Sequence, residues 1–363
     1  YNTGYGAGIS YGDADLFGTG IYMGFFFMAT TRNWQDYMID FQKLRFIPFV
    51  EDFRIYFEYQ QFPSESFWGI GNESDLDHRS LYWWIKTEAF VTFRKHFADH
   101  YGVDAQIYYR NVEIKEGQEP IEGPMKDCPS FEEHFGWDWE LEDGERWGGP
   151  LYGREGGLTN GITLTFYRDM RDDWQVPHRG DYEAITIQRV GPEFASDYNY
   201  TRVTIDLRKY FEPSWIQDLP MDHWFGPKRT FYTKFFGPNK RRNFSFRVLA
   251  SHTFSEEIDY YGQKVLDVPF YELNKMGGGR TNRGYYSNRF LDNDLFMVTF
   301  EYRWQYWRFF DFALFVDAGM VMNDITDADS WDSEWHIGYG GSLRGHIPPG
   351  VIATFEYAFS DDI

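Results

Sequence analysis

Asp169, Arg171 and Asp172 stand almost side by side, and two carboxylates so close could share general acid and base work. Arg171 and Arg179 lie beside those acids, however, so the group reads as an ion-paired turn rather than a catalytic pair. The run 323–334 (NDITDADSWDSE) resembles a loose calcium loop. It lacks the spacing and the glycine of an EF-hand and reads as a solvated acidic loop. The nine His include no HxH pair, and no zinc site is expected. No GxSxG elbow occurs, and GYGAG near the start and GYGGS at 338–342 are not followed by GK[ST], so they read as strand glycines rather than phosphate loops. Cys128 is the lone cysteine and allows no internal disulfide. These residues predict no enzyme, no cofactor and no metal.

The segments carrying them alternate in period 2, the mark of a strand with one wet and one apolar face. In 295–306, Phe296, Val298, Phe300, Tyr302, Trp304 and Tyr306 fall on one face, against Met297, Thr299, Glu301, Arg303 and Gln305. In 310–319, Phe310, Phe312, Leu314 and Val316 oppose Asp311, Ala313, Phe315 and Asp317. The stretches 81–94 and 351–360 behave alike, with Lys86, Glu88, Arg94 and Glu356 on the polar faces. Strands of a soluble sandwich average about 5–6 residues. These run about 9–13, the length that crosses a bilayer at a tilt.

The pattern predicts strands at 5–11, 19–29, 36–46, 53–61, 81–94, 103–111, 160–169, 182–190, 198–208, 244–254, 294–306, 309–320, 334–344 and 351–359, about 14 in all and one barrel domain over 1–363. Outer-membrane barrels have short periplasmic turns and long external loops. The links 47–52, 95–102 and 345–350 are therefore expected in the periplasm. The links 62–80, 112–159, 255–293 and 321–333 are expected outside, with 112–159 as a large acidic, Trp-bearing external loop. Link 209–243 falls on the periplasmic side despite its length. Both ends of this strand set then lie outside, which predicts one further strand at each end and about 16 in the complete protein.

Composition agrees. The 363 residues have a mean hydropathy of -0.57, and nothing approaches the 18 or so consecutive apolar residues of a spanning helix. Yet 21% are aromatic, 14 Trp, 27 Tyr and 36 Phe, as the lipid band and interfacial girdles of a barrel require. A net charge of -21 argues against a nucleic-acid partner.

Five pieces in order resemble the BamA/TamA superfamily of outer-membrane insertases and translocases, the surface-antigen-type barrels. They are Asp169-Met170-Arg171-Asp172 with Pro177 and Arg179-Gly180, where Met170 replaces the usual Thr; Asp206-Leu207-Arg208-Lys209-Tyr210; VPFYELNKMGGG at 268–279; Arg283-Gly284-Tyr285; and FVDAG at 315–319. The resemblance covers about 160–360, and 1–110 only in style. It implies that 255–293 folds back into the lumen, where Arg283 meets Asp317 and Glu301. It also implies a barrel that inserts or translocates proteins through a weak seam between its first and last strands. A passive anchor or export pore for a passenger domain, or a structural subunit of an outer-membrane complex, are the alternatives. The partners implied are the lipid bilayer and lipopolysaccharide, unfolded outer-membrane clients, and periplasmic POTRA-type or lipoprotein partners.

Overall fold

Segments that alternate apolar and polar residues satisfy their backbone by pairing edge to edge, and fourteen strands of this chain do so in succession. The structure, a computed structural model, describes residues 4–45, 50–117, 151–214, 242–307, 310–347 and 350–362. Its wall is built from β1 (Gly6–Asp13), β2 (Ile21–Thr30), β3 (Gln35–Leu44), β4 (Asp52–Phe67), β5 (Ser80–Ala98) and β6 (Tyr101–Glu116), then β8 (Gly161–Asp169), β9 (Gly180–Val190), β10 (Tyr200–Phe211) and β11 (Arg242–Ser255), and finally β16 (Asp294–Trp307), β17 (Phe310–Met322), β18 (His336–Ile347) and β19 (Gly350–Phe359). Each pairs antiparallel with the next in one continuous sheet. The short β7 (Gly156–Leu158) adds to β6. Among the described residues no ladder joins β1 to β19.

Strands expected to end at 61, 94 and 111 run on. β4 reaches Phe67, β5 spans Ser80–Ala98, and β6 continues to Glu116, inside the segment expected to be loop. Pro63 would break a regular ladder, but the register shifts between Phe62 and Glu65, so the proline falls at a bulge and pairing resumes at Glu65↔Tyr82. The bulk of the expected 112–159 loop, 118–150 with Cys128, lies outside the described residues, as does 215–241 of the long link between β10 and β11.

Outward positions are apolar and exposed, among them Ile55, Phe57, Ile107, Phe166, Ile185, Ile205, Phe300, Leu314, Val316 and Phe355. Inward positions carry the polar ladder: Thr165 to Thr186 at 3.0 Å, Thr204 to Ser251 at 3.0 Å, and Arg247 to Asp206. A water-soluble protein would reverse this arrangement, whereas a barrel wall in lipid requires it.

The link 256–293 holds a hairpin, β12 (Glu257–Tyr260) with β13 (Gln263–Leu266), and a two-stranded patch, β14 (Asn274–Met276) with β15 (Phe290–Asp292). It bonds to Glu65 on β4, Arg110 on β6, Arg202 on β10, Arg247 on β11 and Asp317 on β17. One loop can reach all of these only if the sheet curls round it as a barrel wall. Above the patch, Phe67, Tyr82, Tyr108, Tyr198, Tyr200, Val268, Phe270 and Tyr271 pack into an aromatic cluster under the long loops.

Candidate functional site

The register of β16 against β17 sets Thr299 opposite Asp317 and Glu301 opposite Phe315. Glu301 and Asp317 are thus diagonal neighbours on the inward face, with Phe315 between them. The guanidinium of Arg283 lies flat over that ring, 3.5 Å from its centre. Its Nε and Nη2 donate to Asp317 Oδ2 and Oδ1 at 2.7 and 2.9 Å, the Arg283 backbone N–H donates to Asp317 Oδ2 at 3.0 Å, and Nη1 donates to Glu301 Oε2 at 3.0 Å. Asp317 is 0% exposed, Glu301 3% and Arg283 9%. Such a bidentate, stacked pair is the geometry that arginine forms and lysine cannot. Glu301 also accepts from Arg344 at 3.0 and 3.1 Å and from Arg303, and Glu356 stands 3.6 Å from Arg283.

Two glycines let the loop come this close. A Cβ on Gly338, beside Asp317 in the β17–β18 register, would sit 1.7 Å from the Arg283 carbonyl oxygen. Gly284 has φ +101°, and a Cβ there would lie 2.5 Å from the Phe359 carbonyl oxygen. Tyr285 is buried edge-on to Phe290 and His336, in a cluster with Met276, Leu249 and Met297. Asn282 donates to the His336 carbonyl at 2.7 Å.

A second, oppositely charged contact holds the loop across the barrel. Arg110 on β6 donates from Nη1 to Glu272 Oε1 at 2.7 Å and from Nε to Glu88 at 3.0 Å, while Arg202 on β10 donates to the Glu272 backbone carbonyl. Burial works against the charge on Glu272, but the Arg110 and Arg202 guanidinium groups outweigh it and hold its pKa below the usual glutamate range. At the end of the barrel that carries the β4–β5 link, Arg289 donates to Asp362 at 2.8 Å and to Ser74 Oγ and carbonyl at 2.7 and 2.6 Å. Asp292, on β15, has its pKa pushed up to about 6 because burial disfavours its charge, Asn293 N–H only partly offsetting this.

At the opposite end, Arg171 forks onto Asp169, Nε to Oδ1 at 2.8 Å and Nη2 to Oδ2 at 2.6 Å, and stacks 4.8 Å from the Tyr182 ring centre. Asp172 instead clasps the turn. Its Oδ1 accepts from the His178 and Arg179 N–H groups at 2.9 and 3.1 Å, which overcome burial and lower its pKa. The Arg179 side chain turns away from both acids to Glu212, at 2.6 Å. Gly180 has φ +96°, with the Met170 carbonyl where a Cβ would go.

Two arrangements could have suggested a metal. His96 and His100 are four apart, but His96 meets Glu51 and Tyr167 while His100 meets the Asp169 carbonyl. His252, Asp294 and Asp324 bring ligand atoms within 4.8 Å of one another. Asp294 already accepts from His252, Thr253 N–H and Ile325 N–H, and Asp324 from Thr326, so these carboxylates fasten the chain to itself.

The sequence pattern placed Glu301 and Asp317 on one face. It did not signal Phe315, Gly338, Arg344 or Glu272, whose parts depend on which strands meet.

The Omp85 superfamily domain model matches residues 16–362. Among solved structures, BamA from Haemophilus ducreyi lacking POTRA domains 1–3 superposes with a TM-score of 0.59 at 15% identity, over 98% of this chain and 66% of that one. CdiB from Acinetobacter baumannii gives 0.54 at 12% identity, over 98% and 56%. At these identities the likeness is one of fold, and the chain spans just under two thirds of the first and just over half of the second. A search of curated protein sequences returned no match.

Proposed function

This chain belongs to the Omp85 superfamily, and on that premise we propose that it sits in the outer membrane of a bacterium and helps proteins insert into or cross that membrane. In this reading the barrel opens sideways next to β1 and offers a strand edge to an incoming chain. The observation that carries it is the uneven anchoring of the wall. The inner loop grips the β19 side, through Glu356, through Gly284 against Phe359, and through Ser360 Oγ to the Gly284 carbonyl at 2.8 Å. None of the loop contacts described above reaches β1, β2 or β3. One edge of the wall, β19, is thus tied to the loop, and the other, β1, is held among the described residues only by its ladder to β2.

The lipid bilayer with its lipopolysaccharide, unfolded outer-membrane clients, and periplasmic POTRA-type or lipoprotein partners are the partners this role calls for. A passive anchor or export pore, or a structural subunit, is the competing role; the aromatic packing beneath the outer mouth weighs against an open pore. The test is reconstitution in lipid vesicles with an unfolded outer-membrane protein added from outside. Faster insertion than into empty vesicles is expected; an equal rate, with and without added periplasmic partners, overturns the proposal.

A further inference from the structure

Below the Arg283 tip lies a cavity of about 180 Å³, room for roughly six waters at about 30 Å³ each. Its roof is the loop tip, Gly279 to Arg283, and its walls come from β10, β11, β16 and β18. Arg303 and Arg344 lie close to the strand ends joined by the short β16–β17 and β18–β19 links, and Arg208 close to the end of β10 on the same side, so the cavity faces that end of the barrel.

Six guanidinium groups line it: Arg208, Arg247, Arg280, Arg283, Arg303 and Arg344. Four carboxylates answer them. Asp206 takes Arg208 and Arg247; Asp317 takes Arg283; Glu301 takes Arg283, Arg303 and Arg344; Glu356 stands 3.6 and 3.8 Å from Arg283 and Arg344. With Asp311, which stands opposite Arg344 in the β17–β18 register, the six arginines face five carboxylates among the described residues, which leaves one positive charge over in a chain whose net charge is -21. Among the described residues Arg280 has no carboxylate partner; its carbonyl accepts from Arg247 Nη1 at 3.2 Å, which keeps the loop tip beside β11. Among the described residues Arg303 bonds through Nε alone, and Arg208 through Nε and Nη2, so each keeps N–H donors without an acceptor there. Forked donors converging in a confined space lined by like charges fit an oxyanion, which each guanidinium can meet with two parallel hydrogen bonds.

We propose that this cavity is a binding site for one oxyanion group, a phosphate or a carboxylate, entering from the turn side of the barrel. The site stands on its own geometry and does not require the insertase role. Inorganic phosphate and the free carboxylate at the end of a peptide are the two sources of that chemistry. The full chain in detergent is titrated calorimetrically with inorganic phosphate at constant ionic strength set by sodium chloride, then with a short neutral peptide bearing a free C-terminal carboxylate and with its amidated form. Saturable phosphate binding is expected. Peptide acid binding in preference to the amide would identify a chain end as occupant; phosphate binding alone would identify a phosphoryl group. Arg280→Gln, which breaks no ion pair, should weaken binding about tenfold, the worth of one charge-assisted hydrogen bond, with unchanged gel mobility. Arg303→Gln is the second variant. Heats no greater than those of chloride for both ligands, or wild-type affinity in both variants, overturn the site.

Discussion

Replacing Arg283 by alanine should unfasten the loop from the wall, and the cost can be worked out group by group. Glu301 loses one of three arginines and keeps Arg303 and Arg344. Asp317 fares differently: it is 0% exposed, and the Arg283 side chain supplies two of its hydrogen bonds. Stranding a buried carboxylate this way costs about 3–5 kcal/mol. Loss of the stack on Phe315 adds about 0.5–2 kcal/mol. Asp317→Asn in the same background removes the stranded charge and leaves only an imperfectly bonded amide, about 1–3 kcal/mol. The double variant should therefore be less destabilised than the sum of the singles, with a coupling of about 1–3 kcal/mol. Urea titration followed by tryptophan fluorescence in lipid vesicles measures this, with heat-modifiable gel mobility as the check on assembly. Unaltered stability and mobility in Arg283→Ala, or additivity of the two substitutions within about 0.5 kcal/mol, would refute the reasoning.

Gly338→Ala leaves every charge in place but puts a methyl group where the Arg283 carbonyl oxygen sits, against backbone that cannot swing aside. It should displace the loop tip and destabilise by an amount comparable to Arg283→Ala, and protease accessibility of 277–289 reads it; a protected loop would contradict the docking. Asp292 gives a pH signature. Its folded pKa, about 6, lies above the ordinary aspartate value of 3.8. The neutral form is therefore favoured by folding: the contribution is fully present below about pH 4 and lost as pH rises through about 6. Asp292→Asn should be more stable than the parent at pH 8, by at most about 3 kcal/mol, with the gain vanishing by pH 4. A gain independent of pH would remove Asp292 as its source.

The wall was legible because a barrel strand writes its two environments into alternate residues. In β16 and β17, every charge within the spanning portion fell on one face, and that face is the inward one. Strand ends were less legible: Pro63 is a stop signal in a regular ladder, and only the bulge after Phe62 shows how β4 passes it. The candidate site was half legible. Glu301 and Asp317 could be assigned a face from their own neighbours. Glu272, Arg110 and Arg202 could not be joined, because each looks like any inward polar residue until the sheet curls and brings β6, β10 and the loop together. Gly338 read as an ordinary strand glycine because the atom that excludes a side chain belongs to a different segment.

The two charged contacts have opposite sign and opposite place, and this limits how the loop can move. Arg283 engages acids on β16 and β17, while Glu272 engages arginines on β6 and β10. Each contact desolvates a charge that would be expensive to bury alone: releasing Arg283 strands Asp317 on the wall, and releasing Glu272 strands its own carboxylate on the loop while Arg110 keeps Glu88. The loop is therefore a tie between two sectors of the barrel, and those sectors should move together. Flexing of the wall is pushed toward the strands outside the tie, β1 to β3. A lateral opening there could proceed without breaking either charged contact. An opening between β10 and β16 would tear the loop from one of its holds. The position of the tie thus predicts where the wall yields.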